Sequence, residues 1–130
     1  MEQADDPIHI RVEDVHKSYG DNHVLRGVNL SIHRGKTNVV IGGSGAGKTV
    51  LLRQLIVLER PARGRILLDG QDLVPLSEVR LNRIRRRFGM VFQMSALFDS
   101  MTVFENVAFP LRQHTRLRGR EIRERVLDKL

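Results

Sequence analysis

Twelve residues, NVVIGGSGAGKT at positions 38–49, decide the fold of this 130-residue chain. Residues 38–41 form a short apolar run that ends abruptly in glycine, which predicts a buried central strand. The glycines that follow let the chain fold tightly around an anion, because no Cβ stands between the backbone N–H groups and the charge. Residues 42–49 match G-x-x-x-x-G-K-[ST], the pattern of a phosphate-binding loop.

The last residues of this loop carry side chains suited to a nucleoside triphosphate. Lys48 places a flexible positive charge where the β and γ phosphates meet, and Thr49 offers a hard oxygen ligand to Mg²⁺. A helix that starts at Lys48 adds the positive end of its dipole. We therefore predict ATP and Mg²⁺ as cofactors, with Lys48 as a catalytic residue and Thr49 as a metal ligand. The predicted nucleotide-binding residues are Gly42, Gly43, Ser44, Gly45, Ala46, Gly47, Lys48, Thr49 and Val50.

Before the loop, the pattern of the chain is that of β-strands. Apolar residues alternate with polar ones at Ile8, Ile10 and Val12, and again at Val28, Leu30 and Ile32. This period of two is typical of half-buried strands. Gly20-Asp21-Asn22 lies between the two stretches and predicts a turn, and Arg34-Gly35 predicts the next break.

After the loop, helices and strands alternate. The apolar spacing predicts a helix over residues 48–58, followed by a turn at 61–64. A strand is predicted over 65–68, entering a tight turn at Asp69-Gly70. Alternation of this kind, after an antiparallel start, indicates an α/β protein.

Four further elements follow along the chain. Ser77 is a candidate N-cap for a basic helix that reaches Arg87, with Leu81 and Ile84 facing inward. Residues 89–93 (GMVFQ) predict another apolar strand. Thr102 and Glu105 fit a capping box, opening a helix that Pro110 should kink or end. Residues 119–130 predict a charged helix.

The bulk composition fits one soluble domain. The hydrophobic fraction is 41% and the charged fraction 28%, and there is no cysteine for disulfides or thiolate metal sites. No apolar run approaches the roughly 20 residues of a membrane-spanning helix. Residues 1–7 are acidic and polar, unlike a signal peptide, so a cytoplasmic protein is expected.

The net charge of +7 lies mostly after residue 79. It is concentrated at Arg80, Arg83, Arg85, Arg86 and Arg87, and again over residues 112–125. Such charge suits nucleic acid or an anionic membrane surface, but it also suits a solvated helical face. No aromatic residues alternate with these arginines, as base stacking would require.

Beyond the loop, the sequence resembles the ATP-binding subunit of ABC transporters over nearly its whole length. The resemblance rests on VHKSYG at 15–20, VLRGVNL at 24–30, IHRG at 32–35 and VFQ at 91–93. It implies that Tyr19 stacks on the adenine. It also implies that Gln93 is the Q-loop glutamine, a catalytic residue that contacts Mg²⁺ or the attacking water. The implied fold is a P-loop NTPase of ABC type, with an antiparallel β layer, part of a parallel core sheet, and helices.

A finer resemblance is to the Mla-type ATPases, which energise phospholipid transport between bacterial membranes. It is carried by IGGSGAGKTVLL at 41–52, SALFDS at 95–100 and TVFENVAFPL at 102–111. It implies a membrane-spanning permease and a second ATP-binding subunit as partners. The implied location is cytoplasmic, peripheral on the inner face of the bacterial inner membrane. The apolar residues 94–111 either dock such a permease or build a helical subdomain around Phe98, Phe104 and Phe109.

Several motifs of that family are absent from the sequence, namely the LSGGQ signature, the Walker B aspartate with its glutamate base, and the switch histidine. The resemblance therefore implies that residues 1–130 are the N-terminal part of one ABC ATPase domain. Its loop lies at 42–49, its Q-loop near 93, and its helical subdomain starts at about 94. We expect this chain alone to bind Mg-ATP without turnover, because phosphoryl transfer depends on those missing charges.

Two other classes of protein stay open at this point. One is a soluble, non-transport ABC protein that acts on ribosomes or nucleic acid, which the arginine excess allows. The other is a P-loop kinase or GTPase, against which Tyr19 and Gln93 argue. No N-K-x-D guanine-reading motif is present either.

Overall fold

The computed structural model describes residues 8–94 and 96–130. The acidic start of the chain, residues 1–7, and the first residue of the 95–100 motif, Ser95, lie outside the described residues. The chain divides into two compact units, one ending at Gly89 and one beginning at Met90. They are described separately below.

The first unit is built on a four-stranded antiparallel sheet in the order β2-β1-β3-β4. Its strands are β1 (Ile8–Tyr19), β2 (Asn22–His33), β3 (Arg63–Leu68) and β4 (Gln71–Asp72). The predicted turns at Gly20, at Arg34-Gly35 and at Asp69-Gly70 are confirmed. Asp69 and Gly70 both have positive φ, 49° and 82°, as a type I′ hairpin turn requires.

A β-bulge in β1 changes which side chains face the core. The register against β2 shifts between Val12 and Val15, and Asp14 inside the bulge has a φ of 48°. Because the extra residue resets the alternation, Ile10, Val12 and Val15 all point into the core. The predicted alternation at Ile8, Ile10 and Val12 therefore holds only as far as the bulge.

Helix α1 (Lys48–Leu55) follows the glycine loop and ends three residues before the predicted end. Leu58 N donates to Arg53 O (3.0 Å) and Val57 N to Gln54 O (2.8 Å), which is the hydrogen-bond pattern of a Schellman motif. Val57 takes the left-handed position, with a φ of 49°, where glycine is usual. Its side chain is fully buried in the core, and this burial offsets the backbone strain.

The core of the first unit lies between the sheet, α1 and α2 (Glu78–Arg85). Ser77 is the N-cap of α2 as predicted, Leu81 is buried, and Ile84 packs against the core from the edge. The helix ends at Arg85, two residues before the predicted end. The buried apolar residues are Ile10, Val12, Val15, Leu25, Leu51, Leu55, Val57, Ile66, Leu68, Leu73 and Leu81.

Two predicted strands are wrong for the described structure. Residues 38–41 and 89–93 form neither strand nor helix, and Val39, Ile41 and Val91 are 75%, 90% and 95% exposed. A strand needs neighbours to satisfy its N–H and C=O groups, and every strand pair among the described residues is antiparallel and lies within the one sheet. The parallel part of the expected core sheet is therefore not formed by residues 8–94 and 96–130.

The second unit contains helices α3 (Val103–His114) and α4 (Gly119–Lys129). Both predicted helices and the capping box of Thr102 and Glu105 are confirmed. Pro110 does not end α3, which continues for four residues beyond it. Pro110 has no N–H to donate to the carbonyl of Asn106, but the residues on both sides of it remain helical.

The two helices of this unit pack through a small apolar cluster. Ala108, Ile122 and Val126 are buried, and Phe104 packs against them from the edge. Phe98 and Phe109 form an aromatic pair with ring centroids 4.9 Å apart. Of the three aromatic residues predicted to build a helical subdomain, Phe104 thus packs against this cluster, while Phe98 and Phe109 contact each other. No helix among the residues described here is long and apolar enough to cross a membrane.

Candidate nucleotide-binding site

The glycine loop runs from residue 42 into the first turn of α1, and Lys48 folds back over it. Lys48 Nζ donates to Gly42 O at 2.6 Å and to Gly43 O at 2.7 Å. Within the loop, Ala46 N donates to Gly43 O at 3.2 Å. Among the described residues no carboxylate pairs with this ammonium. Its charge is therefore held at the loop by neutral carbonyl oxygens and is not cancelled by an acid.

Gly47 fixes the loop against the sheet. It is the N-cap of α1, with a φ of 97°. A Cβ at this position would lie 2.8 Å from Val24 Cγ1 and 3.3 Å from Leu25 Cδ2. Only glycine allows this combination of backbone conformation and close packing. The start of α1 therefore sits directly on β2.

The remaining loop residues are mostly exposed. Residues 42–46 are exposed, so their backbone can approach an anion closely. Thr49 is exposed, and Val50 packs against the core. Backbone N–H groups, one ammonium and one accessible hydroxyl are the donor set that fits phosphates and a hard cation. By its chemistry the loop thus fits Mg-ATP.

Tyr19 is the last residue of β1, at the turn of the β1–β2 hairpin against which the glycine loop packs. Leu25, which contacts the Gly47 position, pairs across the sheet with Lys17, two residues before Tyr19. At about 3.3 Å per residue, Tyr19 is roughly 7 Å further along the strand. The residue is 43% exposed. An exposed aromatic residue at the turn of this hairpin is accessible to a planar ligand.

The hydroxyl of Tyr19 is anchored by a carboxylate that the sequence patterns did not single out. Tyr19 Oη donates a short hydrogen bond to Glu59 Oε2. Glu59 also accepts from Arg53 Nη1 at 3.1 Å and lies 3.8 Å from Lys17 Nζ. The tyrosine hydrogen bond, followed by that from Arg53, lowers the pKa of Glu59, and the same hydrogen bond raises the pKa of Tyr19. Glu59 belongs to no recognised sequence motif, so its contact with Tyr19 is known only from the structure.

Gln93 belongs to the second unit, where it is exposed in a turn. Its predicted roles as a catalytic residue and a metal ligand stay predictions, as do the roles of the loop residues and Tyr19.

Part of the arginine excess is engaged inside the first unit. Arg85 donates to the carbonyls of Ile56 and Val57 at the end of α1 and pairs with Glu78 at 2.9 Å. Arg60 donates to Leu76 O at 2.7 Å, and Arg87 pairs with Asp69 at 3.1 Å. These side chains hold loops and helix ends together. Their number is therefore a poor guide to a nucleic-acid surface.

A glycine loop whose lysine opens a helix, with an exposed tyrosine at the same end of the sheet, defines a P-loop nucleotide-binding protein. Residues 25–130 match the family described as ABC transporter, and the chain belongs to that family. The fold class and the resemblance expected from the motifs are thereby confirmed.

Two curated proteins are similar to this chain in sequence. The probable ribonucleotide transport ATP-binding protein mkl of Mycobacterium leprae is 46% identical over 121 residues, covering 93% of this chain and 35% of that protein. The intermembrane phospholipid transport system ATP-binding protein MlaF of Haemophilus influenzae is 43% identical over 121 residues, covering 93% of this chain and 46% of that protein. The chain thus spans less than half the length of the relatives it matches.

A solved structure shows the same arrangement. The dimeric ATP-binding cassette MJ0796, in a post-hydrolysis state with ADP and Pi, superimposes with a TM-score of 0.83 at 33% identity. The match covers 92% of this chain and 54% of that one. The chain accordingly shares the fold of part of an ABC transporter ATP-binding cassette.

Proposed function

We propose that residues 42–50 bind the phosphates of ATP, that Thr49 binds the accompanying Mg²⁺, and that the bound nucleotide energises transport. The observation that carries this proposal is the Lys48 ammonium, which lies on the loop at the start of α1 without a carboxylate partner among the described residues. The match to a cassette that holds ADP and Pi covers 92% of this chain and 54% of that cassette, which supports the same reading.

Titration of the purified chain with a fluorescent ATP analogue tests this site. Lys48→Ala should weaken binding by roughly 10- to 100-fold, since a hydrogen bond to a charged group contributes about 1.5–3 kcal/mol. Lys129→Ala, which removes a lysine from the far end of α4, is the matched control and should leave affinity unchanged. Equal affinity of the Lys48→Ala and parent chains would refute the proposed site.

The Mg²⁺ ligand can be tested separately from the phosphate contacts. Thr49→Val keeps the shape of the side chain but removes its oxygen. It should weaken ATP binding in the presence of Mg²⁺ and have little effect in EDTA. A loss of the same size in both conditions would show that Thr49 acts on the loop and not on the metal.

For the transported substrate we favour a phospholipid moved between bacterial membranes. Support comes from the relative MlaF and from the residues shared with the Mla-type group, among them SALFDS at 95–100. A second candidate is a ribonucleotide, since the Mycobacterium leprae relative is named as a probable ribonucleotide transporter at a similar identity.

A chimera distinguishes the two substrates. The 121 residues of this chain that match MlaF from Escherichia coli at 40% identity would replace their counterpart in that protein. We expect the chimera to restore transfer of labelled phospholipid between membranes, and the same chimera with Lys48→Ala to fail. A chimera that binds ATP but moves no phospholipid would favour the ribonucleotide.

As partners we propose a membrane-spanning permease and a second ATP-binding subunit, which together place the protein on the inner face of the inner membrane. Met94 and Leu97 are 89% and 67% exposed at the start of the second unit, beside the Phe98–Phe109 pair. Such apolar exposure is typical of a contact surface. In the chimera, Leu97→Glu should abolish transport while ATP binding is retained.

A further inference from the structure

Glu59 joins strand β1 to helix α1 around the ring of Tyr19. It accepts from the tyrosine hydroxyl at the end of β1 and from Arg53 in α1 at 3.1 Å. Lys17 Nζ lies 3.8 Å from its carboxylate and donates to Arg60 O at 2.9 Å. The Glu59 side chain is only 28% exposed, so this network sits partly out of solvent.

The network determines where the ring can point. A tyrosine at a strand end has two rotatable side-chain bonds, and a hydrogen bond at the hydroxyl restrains both. Lys17 Nζ lies over one face of the ring, 5.4 Å from its centroid, in the range of a cation–π contact. One face therefore lies against an ammonium that Glu59 helps to hold, while Tyr19 as a whole stays 43% exposed and within reach of a planar ligand.

The early end of α1 is what brings Glu59 to this place. The Schellman motif at residues 53–58 reverses the chain, so Glu59 returns toward the β1–β2 hairpin. Arg85 stabilises this reversal by donating to Ile56 O at 3.1 Å and to Val57 O. If α1 continued to Leu58, Glu59 would be carried about 4.5 Å further along the helix axis. The same helix that starts at the phosphate loop thus also sets the position of the tyrosine anchor.

We propose that Glu59 is a positioning residue for base recognition: it orients the Tyr19 ring for stacking on the nucleotide base, and its bond to Arg53 couples that ring to the phosphate-loop helix. The inference rests on the proposed binding of ATP at residues 42–50. It assigns to Glu59 no contact with the phosphates. The base and the triphosphate are therefore recognised by separable groups.

Comparison of two ligands tests this separation. The probes are ATP and inorganic triphosphate, each titrated in the presence of Mg²⁺ into the parent chain and into Glu59→Ala. We expect Glu59→Ala to weaken ATP by about three- to tenfold, a part of the stacking energy of one base on an aromatic ring. Binding of inorganic triphosphate should not change, which also reports that the loop is folded. Glu124→Ala, another carboxylate paired with an arginine, is the control.

Two further variants separate positioning from general stability. Glu59→Gln keeps an oxygen acceptor for the tyrosine and should recover much of the ATP affinity. Tyr19→Phe keeps the ring but removes the anchored hydroxyl, so adding Glu59→Ala to it should cost little more. The proposal is overturned if Glu59→Ala lowers ATP and triphosphate affinity equally, or if its effect persists in full with Tyr19→Phe. If the parent chain binds neither ligand, the proposed function fails instead.

Discussion

Gly64 illustrates how the absence of one side chain allows two strands to approach closely. It lies in β3 with a φ of 100°, and a Cβ there would lie 2.4 Å from Asp14 O and 2.6 Å from Glu13 O. Those carbonyls belong to the bulge of β1, where Asp14 also pairs with Arg63 at 2.9 Å. Close approach of the two backbones at the bulge is possible only without a side chain.

Two glycine substitutions separate backbone strain from collision. Gly70→Ala, in the β3–β4 turn, has open space around the new methyl and should cost about 1–2 kcal/mol for the left-handed conformation alone. Gly64→Ala meets backbone atoms that cannot move aside, so we expect a larger loss, above about 3 kcal/mol. Urea unfolding followed by circular dichroism measures both. Similar losses would show that the bulge relaxes around the methyl.

At the scale of elements, the N-terminus of α3 is capped entirely by residues close to it in the sequence. Thr102 Oγ1 accepts from Glu105 N at 3.2 Å, and Glu105 Oε2 accepts from Thr102 N at 2.7 Å. These bonds, led by that to the Thr102 backbone, lower the pKa of Glu105. Asn106 adds a bond from its amide to Phe98 O at 3.1 Å. The helix start is thus determined within a few residues.

Loss of the cap should be visible in α3 alone. Thr102→Ala removes the hydroxyl acceptor and should destabilise the first turn by about 1 kcal/mol. Amide hydrogen exchange at Glu105 and Asn106 should then accelerate about fivefold, while exchange in β1 stays the same. Thr102→Ser retains the acceptor and should behave like the parent chain. Unchanged exchange in Thr102→Ala would mean that packing, not capping, holds this turn.

At the scale of the whole first unit, one carboxylate joins distant parts of the chain. Asp69, in the β3–β4 turn, lies 2.7 Å from His9 Nδ1 in β1 and accepts from Arg34 at 2.6 Å and from Arg87 at 3.1 Å. The His9 contact, followed by the two arginines, lowers the pKa of Asp69 to about 2. The start of β1, the end of β2 and the segment after α2 therefore meet at this group.

Acid should weaken the first unit through Asp69. Its pKa is lower in the folded chain than its ordinary value of 3.8, so unfolded chains take up the proton first as the pH falls. The stabilisation is present above about pH 4 and is lost as the pH approaches about 2. Thermal unfolding of the parent chain and of Asp69→Asn between pH 6 and pH 2 measures this. Asp69→Asn should be less stable near pH 6, and the difference should vanish near pH 2; a constant difference would contradict the assignment.

Local chemistry made much of this architecture predictable. The start of α1 after the glycines, the capping box at Thr102 and the turns at Gly20 and Asp69-Gly70 depend on residues adjacent in sequence, and all were found where expected. The two wrong strands, at 38–41 and 89–93, have the apolar composition of strands. An apolar composition shows only that a segment could form a strand. The strand forms only where a neighbouring strand satisfies its N–H and C=O groups.

The amino-acid sequence by itself determined the position of the glycine loop and the start of α1 at Lys48, since glycine permits the tight turn that precedes the helix. The tertiary structure alone decided the end of α1 and the anchoring of Tyr19. Val57 takes a left-handed conformation that its residue type disfavours, because burying its side chain and accepting a bond from Arg85 offset the strain. Glu59 then meets a tyrosine 40 positions away in the sequence. Contacts at that separation depend on packing, which no local pattern of residues records.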